Sequence, residues 1–212
     1  MAINEMSEVN RNKSLGQEYK LNFIDNLGIY LSNKRIISEV KKLKEPIRCL
    51  EIGCGYEARL LTSVIPYIES GIGIDICVAE HLKSVKKLRF IECYIEEALK
   101  KLQDENFNLI LSISVFEHLN EPIAVLQTIY KMLSENGVLL INVPTWKGKF
   151  FLELVAFKLK LSKNAQIEMD DHKMYYDEKD LWQLLIKAGF KPGQIEMNYH
   201  KFGLNLFCIA RK

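Results

Sequence analysis

Leu50-Glu51-Ile52-Gly53-Cys54-Gly55-Tyr56 is the stretch on which the reading of this chain turns. The run IRCLEI at 47–52 has the composition of a buried strand, and residues 57–65 carry helical spacing. Glycines between a strand and a helix allow a tight turn and let a ligand come close to the main chain. A second apolar run, IGIDI at 72–76, contains Asp75 followed by Ile76. A carboxylate at the end of the second parallel strand can accept hydrogen bonds from both hydroxyls of a ribose. These features together predict an adenosine-bearing cofactor across the ends of the first two strands, against Glu51, Gly53, Gly55, Asp75 and Ile76.

Outward from this turn, apolar runs alternate with helical patterns. A helix is expected over 78–86, a strand at 88–92, a helix at 95–103 and a strand at 107–113. A helix over 122–133 follows, with Asn120 as its N-cap and Pro122 in its first turn, and then a strand at 138–143. Strands apolar on both faces imply a parallel sheet with helices on both sides. Residues 147–176 interrupt the alternation; a helix at 178–188 ends at Gly189. Strands near 193–200 and 204–211 have no helix between them and must run antiparallel. The expected fold is α/β, a three-layer αβα Rossmann-like sandwich on a seven-stranded mixed sheet.

The chain is read as one domain. Residues 1–44 form an N-terminal helical extension and 45–146 the cofactor-binding core. Residues 147–176 form a lid or acceptor insertion, and 177–212 the last helix and hairpin. The extension carries two apolar faces, Phe23, Ile24, Leu27 and Leu31, then Ile36, Ile37, Val40 and Leu43. Lys41, Lys42 and Lys44 crowd its C-terminal end before Pro46.

Composition removes several classes. The 212 residues are 48% hydrophobic, which fits a globular domain. Twenty-nine Lys+Arg against 27 Asp+Glu leave a net charge of +2, without the basic excess of a dedicated nucleic-acid binder. The five cysteines have irregular spacing and no CxxC, against a disulfide framework or structural zinc. Cys49, Cys77 and Cys208 sit among apolar residues and are expected as buried thiols. The polar N-terminus lacks the apolar core of a signal peptide, and no run is long enough for a membrane span. A reducing, cytoplasmic compartment is expected.

The glycines also fit GxGxxA through Ala58, so a nicotinamide dinucleotide is a competing cofactor. Glu51, two residues before the first glycine, suits a cationic cofactor better than a pyrophosphate. The terminal hairpin and the absence of a second domain weigh the same way. In LEIGCG at 50–55, GID at 73–75, FNLILSISVFEHL at 107–119, LSENGVLLINVP at 133–144 and DHKMYYDEKDLWQLLIKAGF at 171–190, the chain resembles class I S-adenosylmethionine-dependent methyltransferases. The resemblance covers about residues 45–212 and is to the small-molecule, quinone-methylase-like type. It implies strand order 3-2-1-4-5-7-6 with strand 7 antiparallel, and S-adenosylmethionine as cofactor. Glu57 stands at the family's third glycine, and Cys93-Tyr94-Ile95 where an acidic residue often meets the adenine. Adenine contact is therefore expected from the main chain at Tyr94 and Ile95, or from Glu96, and Ser112 completes the cofactor-binding set.

Methyl transfer needs an oriented nucleophile and a destination for its proton. Histidine suits that task near neutral pH, and His118 and His172 are the candidate catalytic residues. Glu117, Asp170 and Asp171 accompany them, and Tyr175 and Tyr176 are candidates for orienting a substrate. His81 and His200 are expected to be structural or exposed, and Trp182 to pack. At Glu117-His118 the chain also resembles methyltransferases of this fold that hold magnesium through ExxEH and a distant histidine, here His172, but Ser114 stands where that pattern has its first carboxylate, and no metal is expected. Asn142-Val143-Pro144 follows the fifth strand, not the fourth as in amino-methylating DNA enzymes, and is set aside. The insertion, with Phe150, Phe151, Leu154, Val155 and Phe157 among lysines, is expected as a lid over the acceptor. Its amphipathic composition over 147–163 equally suits a lipid-linked acceptor or a membrane surface. The expected function is methyl transfer to a small molecule, at oxygen, on a quinol, phenol, sugar or glycan intermediate. A non-catalytic adaptor on the same fold and a nicotinamide-dependent oxidoreductase are the competing readings.

Overall fold

β1 (Arg48–Ile52) sits in the sheet interior because its side chains are apolar on both sides, Leu50 and Ile52 to one face, Cys49 to the other. The computed structural model describes Ser14, Gln17 and residues 23–43, 46–153 and 172–212. Around β1 stand β2 (Ser70–Asp75), β3 (Leu88–Glu92), β4 (Phe107–Ile113), β5 (Leu133–Pro144), β6 (Ile195–His200) and β7 (Asn205–Arg211). They form one seven-stranded sheet in the order β3-β2-β1-β4-β5-β7-β6. Neighbours from β3 to β5 pair in parallel; β7 runs antiparallel to both β5 and β6.

The two faces bury two cores. On one, Leu50, Ile110, Leu139 and Ile141 pack with α3 (Ile95–Lys101), α4 (Pro122–Met132) and α6 (Glu178–Ala188) through Leu99, Leu126, Ile129, Leu181 and Leu185. On the other, Cys49, Leu109, Leu111, Leu140 and Phe207 meet Ile36 and Val40 of α1 (Phe23–Val40) and Leu61 and Val64 of α2 (Arg59–Val64). Each fully buried Leu or Ile contributes about 1.5–3 kcal/mol. The expected three-layer sandwich and strand order are those observed.

Several local expectations are corrected. The two apolar stretches of the extension lie on one continuous helix, α1, except for Leu43, which falls beyond its end at Val40; Leu27 is 47% exposed. Over 78–86 only a short 3-10 turn forms, Glu80–Ser84. Asn120 does not cap α4: Glu121 occupies that position, and Asn120 Oδ1 accepts from Lys173 Nζ at 2.6 Å. Cys49 and Cys208 are buried, whereas Cys77 is half-buried; all five thiols are free. Trp182 is 37% exposed, so it is not a core residue. α5 (Trp146–Glu153) begins the insertion, and Phe150 is 69% exposed among the described residues. Leu154, Val155 and Phe157, with the rest of residues 154–171, lie outside the described residues. No described helix is long and apolar enough to cross a membrane.

Candidate functional site

The turn after β1 is built for close approach. Gly53 and Gly55 have φ of +71° and +72°, a region that favours glycine. A Cβ on Gly53 would stand 2.4 Å from Val115 Cγ2. The Gly53 and Cys54 amides donate to the Ile74 carbonyl at 2.9 and 3.0 Å, tying the turn to β2. Glu57 is not the left-handed residue at the mouth of α2; that is Ala58, with φ +40°.

Asp75 ends β2 beside this turn. Its Oδ2 accepts from the Gly55 amide at 2.7 Å and its Oδ1 from the Ile76 amide at 2.8 Å. Glu51, 3% exposed, accepts the Leu61 amide at 2.9 Å. Burial holds the Glu51 carboxyl well above the usual carboxylate range; the Leu61 N–H pulls it partly back and the Asp75 charge adds to the rise. A buried carboxyl so placed becomes a full carboxylate most readily when a cation reaches it. The Cys93 amide donates to the Asp75 carbonyl at 3.0 Å, which sets Tyr94 and Ile95 next to that strand end. Tyr94 is 47% exposed, and Glu96 lies exposed in the first turn of α3.

Ser112 Oγ and both side-chain amide atoms of Asn142 are buried with no hydrogen-bond partner among the described residues. Buried polar groups ordinarily find one, and ligands of open α/β sheets lie at the C-terminal strand ends, where these two sit. The closed turn at Gly53, the Asp75 and Glu51 carboxyls and these unmet polar atoms fit a ligand with hydroxyls, a cation and a polar tail, as S-adenosylmethionine has. Asn142 was missed as a site residue; its signal was a polar side chain inside the run VLLINV at 138–143.

On the acceptor side, Ser114 has φ +57° and its amide donates to the Asn142 carbonyl at 2.8 Å. The chain then makes the 3-10 turn Phe116–His118, with Glu117 1% exposed. The Glu117 carbonyl accepts from the amides of Lys173 at 2.7 Å and Met174 at 3.3 Å, and the Pro144 carbonyl from Tyr176 at 3.1 Å. These bonds bring His172 to His118, with ring centroids 4.9 Å apart. His172 Nδ1 lies 3.0 Å from the Tyr175 hydroxyl. Tyr176 is committed elsewhere: its hydroxyl donates to the Phe116 carbonyl at 3.1 Å, and burial pushes its pKa up to about 12. Asp170 and Asp171 lie outside the described residues. His81 is exposed, 3.6 Å from Glu57, and His200 lies half-buried on the edge strand.

Lys201 leads the turn between β6 and β7, where Lys201 and Phe202 take φ of +49° and +60°. The tip is held by Thr145 Oγ1, which donates to the Gly203 carbonyl at 2.7 Å, and by Lys147 Nζ, which donates to the Phe202 carbonyl at 2.9 Å. Its ammonium lies beside Gly28 of α1, whose added Cβ would be 3.6 Å from Nζ. Burial pushes the Lys201 pKa down to about 8, and the Glu117 charge opposes the fall.

The family model described as a methyltransferase domain matches residues 29–194. A malonyl-[acyl-carrier protein] O-methyltransferase from Bacillus anthracis is 31% identical over 144 residues, 64% of this chain and 51% of that protein. The chain spans about half the length of the curated relatives it matches. Among solved structures, the magnesium protoporphyrin IX methyltransferase of Synechocystis PCC 6803, with S-adenosylhomocysteine bound, superposes with a TM-score of 0.65 at 14% identity, over 92% of this chain and 90% of that one. A SAM-dependent methyltransferase from Archaeoglobus fulgidus gives 0.60 at 17% identity, over 90% and 100%.

Proposed function

The chain belongs to the methyltransferase-domain family, and on that premise we propose that it uses S-adenosylmethionine to methylate an oxygen of a small molecule. The observation that carries the reading is the placement of Asp75 beside Gly55, with two main-chain amides fixing its carboxylate at the end of β2. In this reading Asp75 receives the ribose hydroxyls, and Glu51 faces the cationic amino-acid end. Gly53, Gly55 and Ile76 offer their main chain. Tyr94 and Ile95 border the adenine, and Ser112 lies under the polar tail. When bound, S-adenosylmethionine supplies a methyl group already activated on a sulfonium.

The chain's remaining task is to orient an acceptor and accept its proton. His118 and His172 stand together on the acceptor side, and imidazole is the side chain suited to take a proton from a hydroxyl near neutral pH. The oxygen acceptor is supported by that pair and by the O-methyltransferase activity that the curated relatives are named for. The exposed Trp146 and Phe150, with Lys147 and Lys149 on the same short helix, suit an acceptor with an apolar or lipid-linked portion.

Calorimetric titration with S-adenosylhomocysteine, with NADH in parallel, tests the cofactor. Micromolar binding of the first alone is expected, and NADH binding in its place would overturn the reading. In an acceptor screen, His118→Ala and His172→Ala are each expected to lower turnover by about 100-fold or more. Unchanged turnover in both would remove them from the chemistry.

A further inference from the structure

Trp146, Tyr175, His172 and His118 stand in file on the acceptor side. Ring centroids are 5.6 Å apart for Trp146 and Tyr175, 5.2 Å for Tyr175 and His172, and 4.9 Å for His172 and His118. Such a file offers a flat wall to an acceptor with an apolar body. The turn led by Lys201 is fastened to one end of this wall. The Thr145 amide donates to the Leu204 carbonyl at 3.0 Å, Thr145 Oγ1 holds the Gly203 carbonyl, and Trp146 follows Thr145 in sequence. At the other end, Glu117 precedes His118, and its charge acts on Lys201. The ammonium and the rings therefore border one space. Lysines ordinarily carry their charge out to water. Lys201 is half-buried instead, and its Nζ stands against Gly28 of α1. Among the described residues no hydrogen bond to a carboxylate answers it; the Glu117 charge acts from a distance. A buried charge without a contacting counter-ion is costly, and the consecutive left-handed residues Lys201 and Phe202 add backbone strain. An anion docked on the ammonium would offset both.

We propose that Lys201 selects acceptors that carry a carboxylate, seating that group on its ammonium while the acceptor's body lies along the Trp146, Tyr175, His172 and His118 rings. One ammonium beside the Glu117 charge balances a single negative charge, so a carboxylate fits better than the near-dianion of a phosphate monoester. The ammonium is available for this: burial brings its pKa down to about 8, which leaves it largely protonated at neutral pH. The carboxylate held by Lys201 and the oxygen that is methylated are separate groups, and Lys201 takes no part in the transfer itself. In calling this space the acceptor's, the inference rests on the proposed function; the preference of Lys201 for a carboxylate does not.

The test titrates the full chain, with and without S-adenosylhomocysteine, using benzoate, benzamide and phenyl phosphate as probes in ligand-observed NMR. Benzoate is expected to bind at about 1 mM or tighter. It should bind at least about 10-fold tighter than benzamide, its neutral isostere, as expected for a hydrogen bond between charged groups, and tighter than phenyl phosphate. Lys201→Met is expected to bring benzoate to the level of benzamide while S-adenosylhomocysteine binds as in the parent, which also reports on folding. Gly28→Asp sets a carboxylate against the ammonium from α1 and should abolish the preference with Lys201 intact. Absence of benzoate binding in the millimolar range would overturn the inference. So would equal binding of benzoate and benzamide, tighter binding of phenyl phosphate, or a preference for benzoate that survives both variants. S-adenosylhomocysteine binding without benzoate selectivity leaves the proposed function standing and this inference fallen. Benzoate selectivity without S-adenosylhomocysteine binding does the reverse.

Discussion

Ser14 Oγ lies 2.5 Å from Asp75 Oδ1. The same oxygen is 2.5 Å from the Cys77 carbonyl and accepts the Cys77 amide at 2.8 Å. A residue 61 positions earlier in sequence thus occupies the carboxylate assigned to the ribose. The Gly55 and Ile76 amides bind Asp75 from the main chain, so an incoming diol displaces the serine and leaves them in place. Ser14→Ala should therefore tighten S-adenosylhomocysteine by about 3–10-fold, the net worth of one hydrogen bond. Weaker binding in calorimetry would instead make Ser14 a residue that closes over the bound cofactor.

Asp75→Ala removes the acceptor for the ribose hydroxyls and strands the Gly55 and Ile76 amides. Affinity for S-adenosylhomocysteine should fall by about 1–3 kcal/mol. Binding equal to that of the parent protein would place the ribose elsewhere.

Glu51 makes stability and binding pull in opposite directions. Its carboxyl titrates higher in the folded chain than in the unfolded one. The folded state keeps that proton longer, so stability declines as pH rises from the unfolded value toward the folded one. Glu51→Gln has no such decline. It should melt above the parent at neutral pH, with the two converging as pH falls below the unfolded carboxylate value. The same variant should bind S-adenosylmethionine more weakly, because the cationic end loses its counter-charge. Melting scans across pH and one titration check both halves.

Gly53→Ala meets two obstacles, a left-handed φ and the Val115 methyl 2.4 Å from its new Cβ. A loss of about 1–3 kcal/mol is expected. Val115→Ala in the same chain should relieve the clash and leave the backbone part. Denaturant unfolding of the three variants separates the two contributions.

The strands were legible where side-chain pattern and pairing agree. β3 at Leu88–Glu92 and β4 at Phe107–Ile113 appear at the expected residues, because apolar runs between polar turns have no other place to bury. β5 is longer than expected, since Leu133 pairs with Phe107 across a register shift that no residue pattern signals. Asp75 and the glycines were readable because turn and strand end are local in sequence. The His118–His172 pairing was not readable as contact, since it depends on amides of Lys173 and Met174 meeting one carbonyl. Ser14, Asn142 and Lys201 carry little local pattern; only the folded chain sets them at the strand ends. Lys201 in particular depends on consecutive left-handed residues in a turn whose sequence shows glycine only at Gly203.

The segment that carries His172 is fastened to the sheet edge by peptide amides, two to Glu117 and one to Pro144. Peptide amides survive any exchange of side chains except to proline. The residues that precede this anchor can therefore drift, lengthen or be replaced wholesale while the imidazole keeps its post. Grafting a foreign insertion between Glu153 and His172 is the corresponding engineering route to a new acceptor.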